Sequence, residues 1–333
     1  MPPSLGTLRR TMLAPSLDAV GFARRGFPTG TAAATRLEAI PQAVVCGFEW
    51  GIEERRVATV ERRLGFVEPE LRGFAYEGAT MAFTVRDAAF GGHRTRDLLG
   101  ASGAAHIFLA YIGIGFAMAR LPRPLWKKVL PDLPGSPFHP TMSWLAVDGY
   151  AFDRAYFDTA RWVGRQRTTA PYPWQGCPGH PEYFPRAADQ GVGRALWFIH
   201  AGAPDAVADA VEHYAEPRRA DLWAGVGLAA AFAGGPPADG LAELRDRSGR
   251  YRPELALGAV FAIKARDYSG CVPEHTEAAA KELTGLSVPE AVGLADRTEP
   301  PASPDPPEPA PADGGPGVPR YERWRLAIRS RFA

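Results

Sequence analysis

Glycine-centred segments recur along this chain at a nearly constant offset, and that recurrence limits the fold more than any other feature. Gly51, after Glu49-Trp50, is matched by Gly164, after Trp162-Val163, and Gly78 by Gly191, each 113 residues on. Tyr111-Ile112-Gly113-Ile114-Gly115-Phe116-Ala117 is matched by Trp223-Ala224-Gly225-Val226-Gly227-Leu228-Ala229, 112 residues on. A weaker pair, Leu145–Phe152 with Leu255–Phe261, suggests the start of a third copy. An internal duplication of about 112 residues follows from these anchors.

Apolar residues within each copy recur at three- and four-residue steps, and strand-like alternation is rare, so the units read as helical. The spacing predicts helices near 37–62, 68–87 and 104–120, then 143–165, 181–200 and 218–233, with 252–268 opening the partial third copy. The expected fold is all-α: a helical-repeat array in which each unit covers its neighbour's apolar face. Its divisions are an N-terminal arm (1–35), a first three-helix unit (36–142), a second (143–251) and a partial third unit or cap (252–296). A linker over 297–319 holds nine prolines and no aromatic residue, which predicts an extended, solvated segment. Beyond it, Tyr321, Trp324, Ile328 and Phe332 share one face of a short basic helix over 320–333, suited to docking on the protein's own body, an acidic partner or an anionic lipid surface.

With 46% hydrophobic and 23% charged residues the chain suits a packed protein, and a net charge of +1 gives no field that would draw nucleic acid. Four lysines and no asparagine accompany many arginines, a pattern of GC-rich genomes, so arginine abundance carries little functional weight. Three dispersed cysteines suit a reduced cytoplasm and form no disulfide framework. The N-terminus lacks the apolar run of a secretory signal. Residues 98–119 carry no Asp, Glu, Lys or Arg, but the strongly apolar part is only 107–119, which suits a buried helix better than a bilayer span. The expected location is cytoplasmic, or peripheral at the inner face of the membrane.

Phosphate-loop, His-Glu-x-x-His, Gly-x-Ser-x-Gly and Glu-x-x-His motifs do not occur, so no cofactor or metal is expected. Gly225-Val226-Gly227 resembles a dinucleotide turn only in spacing, because it lies inside an apolar helix. Cys177 and His180, in the proline-rich loop 169–181, lack the second pair a metal site needs. Interior glycine costs roughly 1 kcal/mol against alanine. Gly113, Gly115, Gly225 and Gly227 therefore serve either close helix packing or a groove for a flat ligand, to which Arg194 and Trp197 would contribute. Acids preceding the repeat glycines are the main chemical candidates: Glu77, Asp148 and Asp189, the last followed by Gln190. Converging inside the array they would be carboxylates of raised pKa fit for proton transfer; alternatively they make interhelical hydrogen bonds or pair with Arg194. His106 and His200, near helix ends, are acid–base candidates of the same kind.

Gly21-Phe22-Ala23-Arg24-Arg25-Gly26-Phe27, Asp189–Phe198 and Leu222–Ala229 together resemble a bacterial family, catalogued as a domain of unknown function, found in gene clusters for enediyne antibiotics. The resemblance implies an accessory role in enediyne core biosynthesis, acting on or holding the polyene made by an enediyne polyketide synthase. It further implies partners of the ASPIC/UnbV type and a membrane protein of the UnbU type. It implies no catalytic residues. A helical scaffold or adaptor without catalytic activity is the alternative.

Overall fold

In a computed structural model, residues 16–54, 56–301 and 317–333 are described, and among them helices joined by loops are the regular structure, with no β-strand. Seven long helices carry the architecture: α1 (Ala32–Glu53), α2 (Pro69–Phe90), α3 (Ile107–Arg120), α4 (Trp144–Phe157), α5 (Tyr183–Ile199), α6 (Glu216–Ala233) and α7 (Arg252–Tyr268). Prolines at the start of α2, α6 and α7 fall in the first turn, where the missing N–H would have had no helical partner. Short helices such as Val57–Leu64, Pro204–Glu212 and Ala238–Arg247 join the long ones.

Two predicted helices stop early, for one physical reason. The helix expected over 37–62 breaks after Glu53, where Arg86 donates to the carbonyls of Gly51 and Glu54. The helix expected over 143–165 ends at Phe157, where Arg25 Nη2 donates to the carbonyls of Tyr156 (2.9 Å) and Phe157 (2.7 Å). A guanidinium placed on terminal carbonyls satisfies acceptors and offsets the negative end of the helix dipole. Both arginines come from distant parts of the chain, so local periodicity holds no sign of them.

Each long helix packs against the next through glycine. A Cβ on Gly47 would overlap the Ala75 carbonyl and one on Gly78 the Val44 carbonyl, a reversed pairing that makes α1 and α2 antiparallel. Gly193 with Leu222 and Gly225 with Gln190 join α5 to α6 in the same way. Three contacts recur between the halves: Gly113 on Glu77 and Gly225 on Gln190, Gly115 on Ala146 and Gly227 on Leu255, Gly149 on Ile112 and Gly258 on Ala224. At each, the glycine hydrogen lying where a side chain would start points at a carbonyl oxygen, so weak C–H···O contacts add to dispersion. This compensates for the low helix propensity of glycine.

The up-and-down array curls until its ends meet. Phe74 on α2 packs edge-on against Phe232 on α6 at 5.4 Å, and Arg266, near the end of α7, donates to the Glu70 carbonyl at 2.9 Å. The inner helix faces thereby enclose a central space. The apolar helix Ser102–Arg120 is long enough to cross a membrane by length and composition, yet 72% of its apolar window is buried inside the protein.

From residue 16 the N-terminal arm packs on the body, with Phe22 and Phe27 buried. Most of the expected linker, residues 302–316, lies outside the described residues. The tail forms helix α8 (Arg320–Arg329), and its apolar face, Tyr321, Trp324 and Ile328, is buried. Trp324 Nε1 donates to the Ala295 carbonyl at 2.9 Å while its ring meets Phe261 edge-on and stacks on Phe138. Of its three possible docking partners, α8 engages the protein's own body.

Candidate functional site

Two adjoining cavities occupy the centre of the array. One, about 70 Å³, is lined from α1 to α5 by Val44, Phe48, Met81, Phe116 and Phe152 among others. The second, about 40 Å³, is lined from α2 to α7 by Phe108, Ile112, Phe232 and Phe261 among others. Phe74, Glu77, Arg194 and Phe198 line both and form the partition between them. In the second cavity every other lining residue is apolar. Each space is ample for water, which needs roughly 10–15 Å³, and narrow enough to favour a slender ligand.

The partition carries unusual chemistry. Glu77, 3% exposed, makes no hydrogen bond or ion pair with any described residue. Burial pushes its carboxyl up to about 8; Arg194 opposes that rise and Asp148 adds to it. At neutral pH Glu77 is therefore a neutral acid able to donate as well as accept. Arg194 Nε donates to Asp148 Oδ1 at 2.6 Å, and the guanidinium lies over the Phe152 ring at 4.7 Å. Its Nη2, though buried, has no hydrogen-bond partner.

Asp148 lies behind the partition with no exposed surface. Its second oxygen accepts from Gln190 Nε2 at 2.7 Å, and Gln190 Oε1 in turn accepts from the Tyr321 hydroxyl of α8 at 3.1 Å. Burial raises the Asp148 carboxyl above its ordinary value, and Arg194 and Gln190 pull it only part of the way back. Since both oxygens accept hydrogen bonds, Asp148 acts as the ionised counter-ion that holds Arg194 in place.

At the outer end of the larger cavity, Arg120 pairs with the buried Asp153 at 2.6 Å. Arg120 and Arg25 both approach the Phe157 ring, their guanidinium carbons 5.0 and 5.3 Å from its centre. Tyr156 donates to the Val20 carbonyl at 2.6 Å, fastening the N-terminal segment beside this rim.

Of the predicted site residues, Glu77, Asp148 and Arg194 are brought together, and the others are not. Asp189 precedes Gln190 but faces away, paired with Arg218 at 2.6 Å. His200 ends α5 and lines neither cavity; burial lowers its imidazole pKa. Trp197 is fully buried, its Nε1 donating to the Gly234 carbonyl at 2.8 Å. Gly113, Gly115, Gly225 and Gly227 correct the ligand-groove alternative, because backbone of the neighbouring helix already fills the space each leaves. His106 stacks on Tyr76 at 4.5 Å, and burial lowers its pKa to about 4.

Sequence reasoning missed the aromatic lining, above all Phe74, Phe152 and Phe198, and the Arg120–Asp153 pair. Phenylalanine in an apolar helix carries no mark of facing a cavity instead of a packed neighbour. Among the described residues no cluster of His, Cys, Asp and Glu is placed to hold a metal ion.

Comparison with curated proteins yields no match, and neither does comparison with solved structures. A family whose description reads "Protein of unknown function (DUF1702)" matches residues 4–332. Nearly the whole chain is covered, tail helix included, and the chain therefore belongs to the DUF1702 family.

Proposed function

We propose that the protein takes a slender, extended apolar molecule into the paired cavities, and that this molecule is a linear polyene on the way to an enediyne core. The partition carries the reading: one carboxyl without a hydrogen bond and one guanidinium with a free nitrogen stand between two spaces walled mainly by apolar side chains, phenylalanine prominent among them. Ligand sites combine that apolar lining with a few converging polar groups. The resemblance of Asp189–Phe198 and Leu222–Ala229 to proteins of enediyne gene clusters supplies the ligand class. ASPIC/UnbV-type and UnbU-type proteins would be the partners that pass the polyene on.

In this reading the array arose by copying a three-helix unit, which accounts for the three recurring glycine contacts. In an adaptor without catalytic activity the apolar face of α8 would not be the docking surface, since the protein itself covers it. Because Phe74 and Phe198 stand in the partition, a long chain enters both cavities only when these rings turn aside.

Titration of the full chain with a synthetic linear polyene, followed by polyene absorbance and tryptophan emission, tests the proposal. Saturable binding with a spectral shift is expected, and Ala229→Phe, which fills the second cavity, should weaken it about tenfold or more. Absence of any response with folded protein at saturating polyene excludes this function.

A further inference from the structure

We propose that the partition is built for a neutral oxygen acceptor on the ligand, a carbonyl conjugated to the apolar chain, which takes hydrogen bonds from Glu77 and Arg194 together. The inference rests on reading the cavities as a ligand site, and it names the group that site selects.

Arg194 Nη2 is a donor with no acceptor among the described residues, and arginine accepts nothing. A pure hydrocarbon in the cavities would leave that donor sealed away from water, and an orphaned buried donor costs roughly 1–3 kcal/mol. Glu77, a neutral acid at neutral pH, brings an O–H to the same partition. One carbonyl oxygen has two lone pairs and can accept from both.

Charge decides between a neutral acceptor and an anion. The positive charge of Arg194 is already balanced by Asp148, whose two oxygens are engaged by Arg194 and Gln190. A ligand carboxylate would add an uncompensated negative charge in a space otherwise walled by hydrocarbon, with Asp148 close behind. Burying such a charge costs more than a single hydrogen bond returns. A ketone or ester carbonyl adds no charge. Phe152 against the guanidinium and Gln190 behind Asp148 hold the donor still, so little ordering remains to be done on binding.

Three linear polyenes of equal length, a hydrocarbon, a methyl ketone and a carboxylate, separate the possibilities when titrated against the full chain at pH 7. The ketone should bind about ten- to a hundredfold more tightly than the hydrocarbon, with absorption shifted to the red, and the carboxylate more weakly than the ketone. Glu77→Leu, which removes an unpartnered group and should fold, is expected to weaken the ketone about tenfold and so to narrow the gap between ketone and hydrocarbon. Arg194→Met, checked for folding by circular dichroism, should do the same. Equal affinity for ketone and hydrocarbon overturns the carbonyl assignment while leaving polyene binding intact. A carboxylate that binds most tightly overturns it in favour of an anion site. Failure of all three polyenes to bind removes the underlying functional reading along with it.

Discussion

Two buried groups of charged side chains can be set side by side, the partition between the cavities and the cluster under the tail helix. Under the tail, Arg325 meets Asp221 at 2.7 Å and Glu322 at 2.8 Å. Arg186 reaches the same two carboxylates at 2.9 and 2.8 Å, and the Tyr183 hydroxyl donates to Glu322 at 2.7 Å. Every carboxylate there is paired. At the partition, Glu77 makes no hydrogen bond with any described residue and Arg194 keeps a nitrogen unused. Desolvation must be offset in both places; the tail cluster pairs both of these carboxylates from within the chain and leaves only Arg325 Nε over, whereas the partition leaves a whole carboxyl without a hydrogen bond to any described residue. Carboxylates paired by arginine fasten one element to another, whereas an unpaired carboxyl between cavities is where a ligand has something to supply.

The largest test of that contrast breaks the fastening. Arg325→Met leaves Asp221 and Glu322 buried with only Arg186, itself partly exposed, to balance them, and should cost about 3–5 kcal/mol in urea unfolding. Undocking of α8 would accompany it, seen as a redder Trp324 emission. A loss below about 1 kcal/mol would place the tail cluster among ordinary surface pairs.

Opposite pH behaviour is comparable in size. Folding raises Glu77 from 4.5 to about 8, so the folded state holds the proton longer than the unfolded chain. Stability from this group is whole below about pH 4.5, falls as pH rises towards 8 and then levels off, a change on the order of 5 kcal/mol. Asp221 runs the other way. Burial pushes its pKa up, but Arg325 and Arg186 outweigh that and hold it below 3.8, so its contribution is present above that value and lost in acid. Melting curves from pH 5 to 8 should show wild-type protein losing ground to Glu77→Gln; parallel curves would mean that Glu77 is ionised throughout.

Smaller again is Gly227→Ala, whose methyl must push α6 from the Leu255 carbonyl of α7 and should cost about 1–3 kcal/mol. The change acts on packing outside both cavities, so polyene affinity in the folded fraction should stay the same. At the bottom of the scale, His200→Gln is expected to shift stability by less than about 0.5 kcal/mol and ligand affinity not at all. A clear loss of binding in that variant would return His200 to the site.

Much of the architecture was legible in the chain. The predicted helix near 252–268 and α7 share their bounds, and most others agree within a few residues, because a continuous 3.6-residue apolar period survives wherever a helix faces a core. The early stops after Glu53 and Phe157 were not legible, since the capping arginines arrive from elsewhere. Glu77, Asp148 and Arg194 were noticeable as polar residues beside repeat glycines in apolar helices. Phe152 and Phe198 were not, because nothing local separates a cavity wall from a packed core.

Asp189 and Gln190 mark where reading a sequence stops. Composition and period alone made this chain helical, and the glycine spacing determined which backbones touch, since only a residue without a side chain admits a carbonyl that close. Adjacent helical residues point about 100° apart, so of these two neighbours one had to turn from the other's surroundings. Gln190 faces Asp148 and Asp189 faces Arg218 because the array closes around one side of α5, a choice made by the packing of distant helices and recorded in no short stretch of sequence.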